Sequence, residues 1–171
     1  MAERTQESES GVIVRKEIDT WIGTVITRPR SEFGGFPVCP FARGATTRIC
    51  VGRSINDLRR ILETWDDSHC VVVFVHLMRP TFRKSLRIAD SLNRKYEHAD
   101  LVVLTDHPDE PLEFNGFSPS NGKYVIFLIQ RISKVNEATV LLSRSSGYYD
   151  SWSEENKDAV VRSRFGANCP I

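Results

Sequence analysis

The order of apolar runs predicts an α/β fold, a single small domain with three or more mostly parallel strands, helices packed on the sheet and a βαβαβ core. Three observations carry this. Cys70 to His76 (CVVVFVH) is an unbroken apolar run, as expected of a strand buried on both faces. Thr46 to Val51 (TTRICV) and Asp100 to Thr105 (DLVVLT) are short and rich in β-branched residues, the composition of strands. A helical period separates each of these strands from the next. Strand–helix–strand order of this kind calls for parallel pairing through right-handed crossovers.

In chain order, residues 1–10 (MAERTQESES) are polar and acidic and read as a disordered tail, 11–165 as the domain and 166–171 as a loose C-terminus. From Gly11 onward, Val14, Ile18, Trp21, Ile22 and Val25 recur at helical spacing. Arg28-Pro29-Arg30 ends that helix, because the residue before a proline avoids the α region. After the Thr46–Val51 strand, Ser54 with Asp57 three residues on opens a helix with a stripe of Ile55, Leu58, Leu62 and Trp65. Pro80-Thr81 opens the next, with Phe82, Leu86, Ala89, Leu92 and Tyr96 on one side. Residues 106–122 form a long loop dense in proline, glycine and asparagine, and loops of that length in small domains tend to be functional. Tyr124 to Ile132 (YVIFLIQRI) fits a buried strand or a buried helix; Asn121 as a cap and the spacing of Tyr124, Phe127, Leu128, Arg131 and Val135 tilt it toward helix. Thr139 to Leu142 reads as a small strand or a continuation of that helix, and Ser151 or Ser153 as the cap of a final helix beginning Glu154-Glu155.

Composition narrows the function classes. With 23 basic and 22 acidic residues the formal net charge is +1, so a uniformly basic nucleic-acid binder is disfavoured. Arg79, Arg83, Lys84 and Arg87 then read as a solvated helix face. No apolar run approaches the roughly 18 residues that span a bilayer. The polar N-terminus is unlike a secretory signal, so a cytoplasmic location with reduced thiols at Cys39, Cys50, Cys70 and Cys169 is the expectation. Cys50 and Cys70 fall in strands and read as core packing. There is no CxxC pair, the usual spacing of a closed zinc site.

Chemistry is expected around Gly34-Gly35-Phe36-Pro37-Val38-Cys39-Pro40-Phe41-Ala42-Arg43-Gly44, a thiol braced by two prolines and flanked by glycines. His76 ends the second strand and His107 follows the third, so both fall at the carboxyl edge where ligands bind α/β sheets. His107 lies in Asp106-His107-Pro108-Asp109, and a neighbouring carboxylate raises or orients imidazole basicity. These residues suggest a small enzyme with catalytic Cys39 and His107, whose small polar or anionic substrate is held by Arg43, Asn115, Asn121 and Arg131. Two other functions stay open. One is a metalloprotein with Cys39, His76 and His107 as ligands to zinc, iron, copper or haem, the last suggested by the Cys39-Pro40 and Cys169-Pro170 dipeptides. The other is a non-catalytic partner-binding protein with the long loops as its interface. Both Cys/His schemes require the Cys39 loop to fold back over the sheet toward the two imidazoles.

The segment Trp21-x-x-x-Val25-Ile26 followed by Cys39-Pro40-Phe41-Ala42 resembles an uncharacterised bacterial domain family in which a tryptophan helix runs into a Cys-Pro-Phe-Ala loop. The similarity extends to Val71–His76, to Ala89-Asp90-Ser91-Leu92, to His107-Pro108, and to Phe114-Asn115-Gly116, Asn121 and Leu128-Ile129-Gln130-Arg131. It departs at Arg28-Pro29-Arg30 and Gly34-Gly35, which lengthen the loop, at Leu77, where the family has proline, and at Gln130. The resemblance implies a shared site and supplies no reaction. Cys-Pro-Phe-Ala is also similar to the segment that starts a helix in omega-class glutathione transferases, but Glu32 to Val38 lacks the strand that fold places before the cysteine.

Overall fold

The computed structural model describes residues 9–162, 165 and 169–171. Of the expected tail, residues 1–8 lie outside the described residues, while Glu9 and Ser10 already belong to the first helix. Of the expected loose C-terminus, 166–168 lie outside them, and Cys169, Pro170 and Ile171 have no regular secondary structure.

Four strands make one sheet: β1 (Thr47–Gly52), β2 (Val71–His76), β3 (Leu101–Asp106) and β4 (Val125–Arg131), in the order β1-β2-β4-β3. The chain is therefore α/β as expected, but the sheet is mixed. Only β1 and β2 pair in parallel, and β4 runs antiparallel to β2 and to β3. The expected mostly parallel sheet fails at the 124–132 segment, where Val125–Arg131 is a strand and not a helix, and Ile132 begins the next helix. Its seven strand residues are apolar on both sides up to Gln130, and sheet pairing on both flanks outweighs the helical spacing. β1, β2 and β3 still point the same way, so their carboxyl ends share one edge.

Helices cover both faces. α1 (Glu9–Trp21) continues into a π-helical turn, Ile22–Ile26, and lays Val14 and Ile18 on Ile49, Val73, Val75 and Ile126. α2 (Ile55–Glu63) and α3 (Phe82–Tyr96) cover the other face, where Leu58, Leu62, Ala89, Leu92 and Tyr96 meet Val72, Phe74, Val103, Val125, Phe127 and Ile129. The strands alternate between these two sets with the period of two that a pleat imposes. α4 (Ile132–Ser145) follows β4 directly, so Thr139 to Leu142 is helical, and α5 (Glu154–Lys157) is short and capped by Ser153.

The caps follow the sequence. Ser54 accepts the Asn56 N–H at 3.0 Å and Asp57 returns the bond to the Ser54 N–H at 3.0 Å, while Thr81 takes the Lys84 N–H at 3.4 Å. Gly52 ends β1 against Phe74: a Cβ there would lie 2.7 Å from the ring and 2.9 Å from Asp57 Oδ2, so no other residue fits without displacement.

The free edge of β3 is closed by a side chain. Asn93 of α3 accepts the Val103 N–H at 2.7 Å and donates to the Val103 carbonyl at 3.0 Å, occupying both outward groups as a neighbouring strand would. On the β1 edge, Arg15 donates to the Ile49 carbonyl. Asn93→Ala should cost about 1–3 kcal/mol in urea unfolding, from the two lost bonds, and should raise the sedimenting mass at high concentration as the edge opens. Unchanged stability and unchanged mass would show that the edge needs no cover.

Candidate functional site

At the carboxyl edge, β4 begins where β2 and β3 end, and it lies between them. His76 and the start of the His107 loop are thus held about 10 Å apart by two strand spacings. His76 is 7 % exposed, on the α2–α3 face with Phe74 and Phe127 at ring distances of 6.0 and 6.3 Å. Its Nδ1 accepts the Met78 N–H at 3.3 Å. Burial holds this imidazole below its ordinary pKa, and the Lys84 charge adds to that.

His107 is 4 % exposed and committed at both nitrogens: Nε2 lies 2.9 Å from the Pro80 carbonyl and Nδ1 accepts the Asp109 N–H at 3.0 Å. These partners fix the neutral tautomer with the proton on Nε2. With Phe82 against it, tilted, at 5.6 Å between ring centres, the ring ties the long loop to the β2–α3 connection. This is a positioning arrangement, and neither nitrogen is open to a substrate or a metal.

The rest of that loop is stapled in the same manner. Asp106 accepts both the side-chain and the backbone N–H of Asn121, whose amide also bonds the Tyr124 carbonyl at 2.9 Å and whose Oδ1 accepts the Lys123 and Tyr124 N–H groups. Trp21 Nε1 donates to the Pro119 carbonyl at 3.0 Å. Burial raises the Asp106 carboxyl above its usual range against these bonds. Burial, with the nearby Asp106 charge, pushes Glu110 up to about 7. The expected substrate contact Arg131 is likewise occupied: its fork grips Asp67 at 2.8 and 2.6 Å and its third nitrogen bonds the Ala99 carbonyl at 2.7 Å. Asn115, with φ at 50°, donates to the Glu32 and Ser151 carbonyls at 2.7 and 3.1 Å. Arg43 is exposed, on a single 3₁₀ turn (Ala42–Gly44).

The Cys39 loop goes elsewhere. Pro29 and Pro37 bridge, Gly34 and Gly35 turn at φ of 63° and 86°, and the loop drives Phe33 to zero exposure. Phe33 meets Phe114 of the 106–122 loop at 4.9 Å and Trp152 at 6.0 Å, and Tyr148 and Tyr149 complete an aromatic junction of three loops. Cys39 borders this junction. Tyr148 Oη donates to the Val38 carbonyl, and its pKa is driven up by burial and then by the adjacent Cys39. Cys39 is solvent-accessible, yet protein packed against its sulfur raises the thiol pKa, while the backbone of Phe41 and Ala42 pulls the other way; the Ala42 N–H donates to the Cys39 carbonyl at 3.2 Å.

The structure therefore divides the expected site. His76 and His107 share the carboxyl edge, Cys39 and Asn115 belong to the aromatic junction, and neither imidazole is among the groups that shift the Cys39 thiol. Among the described residues no three His, Cys, Asp or Glu side chains are grouped to hold a metal ion, so the Cys39, His76 and His107 ligand set is not assembled. Cys70 corrects its core assignment: it precedes β2, is exposed, and takes the Thr46 hydroxyl, which lowers its thiol pKa. Cys50 does pack against the α2–α3 core. The residues that the sequence did not single out are Tyr148 and Trp152, for which the aromatic density of Tyr148-Tyr149-x-x-Trp152 was the available signal; Arg30 was noted only at the end of a helix and Ser151 only as a candidate cap. No described helix is long and apolar enough to cross a membrane.

His107→Ala should cost about 2–3 kcal/mol, since it strands the Pro80 carbonyl and the Asp109 N–H; a melting point equal to the parent's would return His107 to catalysis. Glu110 has a folded pKa above its unfolded one, so its neutral form favours folding, and its contribution falls as pH rises from about 4.5 to about 7. Glu110→Gln should therefore match the parent near pH 4.5 and exceed it by about 1–2 kcal/mol at pH 8, discounted for partial exposure, in paired urea titrations. No family model matches the chain, and no curated protein and no solved structure matches it.

Proposed function

We propose that the chain is a small thiol-dependent enzyme acting on a small polar or anionic metabolite at the aromatic junction, with Cys39 as its nucleophile. One observation carries this: an accessible cysteine sits in a loop shaped by Pro37 and Pro40, with the backbone of Phe41 and Ala42 lowering its thiol pKa against burial. Pro40 has no N–H and a fixed φ, and the chain turns directly after Cys39, the Ala42 N–H donating to the Cys39 carbonyl at 3.2 Å. Burial outweighs the backbone, so the resting group is the thiol, and its proton leaves to solvent before the sulfur attacks. The resemblance to the uncharacterised bacterial family through Cys39-Pro40-Phe41-Ala42 agrees with this function. His107 then acts as a positioning residue, and the three-ligand metal alternative lacks its grouping among the described residues.

A non-catalytic binding protein is the second reading, favoured by the raised thiol pKa and by the committed Asn115, Asn121 and Arg131. Cys39→Ala separates the two. Incubated with a defined mixture of carboxylate and phosphate metabolites, the parent should consume at least one component and Cys39→Ala none, with equal melting points. No consumption by either protein would favour the binding protein, and equal consumption by both would overturn Cys39 as the nucleophile.

A further inference from the structure

Most buried polar groups of the three loops have partners, but three side chains at the aromatic junction do not. Arg30 Nε, Ser151 Oγ and Trp152 Nε1 are buried with no hydrogen-bond partner in the structure. Two are donors without acceptor capacity, and the third is a hydroxyl that can donate. Trp152 is only 9 % exposed. Buried donors of this kind are rare in folded proteins and point to a water or an ion that accepts from them.

The three belong to one neighbourhood. The Arg30 guanidinium carbon lies 3.9 Å from the Phe117 ring centre, Phe117 is 6.3 Å from Phe33, and Phe33 is 6.0 Å from Trp152. A Cβ on Gly34 would lie 3.5 Å from Ser151 Oγ, and Asn115 ties the Glu32 and Ser151 carbonyls together. The Arg30 guanidinium lies over the Phe117 ring, and its Nε–H is left without an acceptor. Arg30 forms no ion pair among the described residues. The nearest carboxylate in sequence, Glu32, takes its own backbone N–H and the Ser31 hydroxyl first. A cationic side chain with two neutral donors matches an oxyanion and repels a cation.

We propose that Arg30, Ser151 and Trp152 bind a small oxyanion, a carboxylate or phosphate group, whose oxygens accept from Arg30 Nε, Ser151 Oγ and Trp152 Nε1. Such a site names the anionic handle of the metabolite proposed above, yet it does not require Cys39 to react. The bound group would sit in the loop junction bordered by Cys39 and Tyr148, in surroundings that strengthen each charge-assisted bond.

The chain carries its own controls for the test, because the other two indoles are occupied: Trp21 Nε1 donates to Pro119 and Trp65 Nε1 to Asp67 at 2.6 Å. Nitrogen-15 spectra of the full chain, titrated with inorganic phosphate or with acetate at constant ionic strength set by sodium chloride, follow all three indole N–H signals. Trp152→Phe assigns the signal. The expected result is a saturable shift of the Trp152 signal alone, at up to tens of millimolar anion, with binding weakened about tenfold or more in Arg30→Gln and in Ser151→Ala. The phosphate and acetate arms distinguish the two handles. Cys39→Ala should keep the shift, so loss of thiol chemistry and loss of anion binding are separately visible. An unmoved Trp152 signal with both anions, or a shift that survives both Arg30→Gln and Ser151→Ala, would overturn the site and leave buried water as the acceptor. Should Arg30→Gln fail to fold, Ser151→Ala alone decides.

Discussion

The position of β4 constrains everything else in this molecule. Val125–Arg131 is paired on both sides, to β2 and to β3, and its side chains enter both cores. Because it runs against β3, the chain must leave β3 and re-enter the sheet at the same edge. The 107–124 segment therefore overhangs the carboxyl ends of β2 and β3 instead of crossing a face as a helix would. A loop so placed carries many backbone groups into a half-buried setting, and each needs a partner. His107, Asp106 and Asn121 supply them, which is why residues of catalytic type are spent here on holding backbone.

Much of this was legible in the sequence where period and caps agreed. The strands at 47–52, 71–76 and 101–106, the helix capped by Ser54 and the helix opened by Thr81 all follow from local chemistry that tertiary packing did not override. The segment at 124–132 was not legible, because an apolar run of that length satisfies both periods and the decision came from two distant strands. The mixed topology follows from that one assignment. The shared edge of His76 and His107 was also foreseen, since it depends only on β2 and β3 pointing the same way. What their side chains do there depends on backbone carbonyls and N–H groups, such as those of Pro80 and Asp109, that no residue pattern announces.

The Cys39 loop was read as shaped, with its reach toward the imidazoles left open. Its prolines and glycines do build a closed turn, but Phe33 at the tip decides where the turn goes. A fully buried phenylalanine among Phe114, Tyr148 and Trp152 recovers more free energy than a polar loop laid across the sheet edge. The aromatic residues after α4 thus capture the thiol loop, and the protein gains a third small core outside the sheet.

The two groups of loop residues differ in one physical respect that separates scaffold from site. At the carboxyl edge His107 is bonded at both nitrogens and Asn121 at both ends of its amide, and at the opposite edge of the sheet Arg131 is bonded at all three guanidinium nitrogens. A saturated group gains nothing from a ligand, which would have to replace bonds already made. At the aromatic junction the atoms Arg30 Nε, Ser151 Oγ and Trp152 Nε1 are buried and without a hydrogen-bond partner. Three of the buried unpartnered polar atoms among the described residues thus fall at the loop junction, and the free energy they would gain from an acceptor is the physical ground for proposing a ligand there and not at the edge of the sheet.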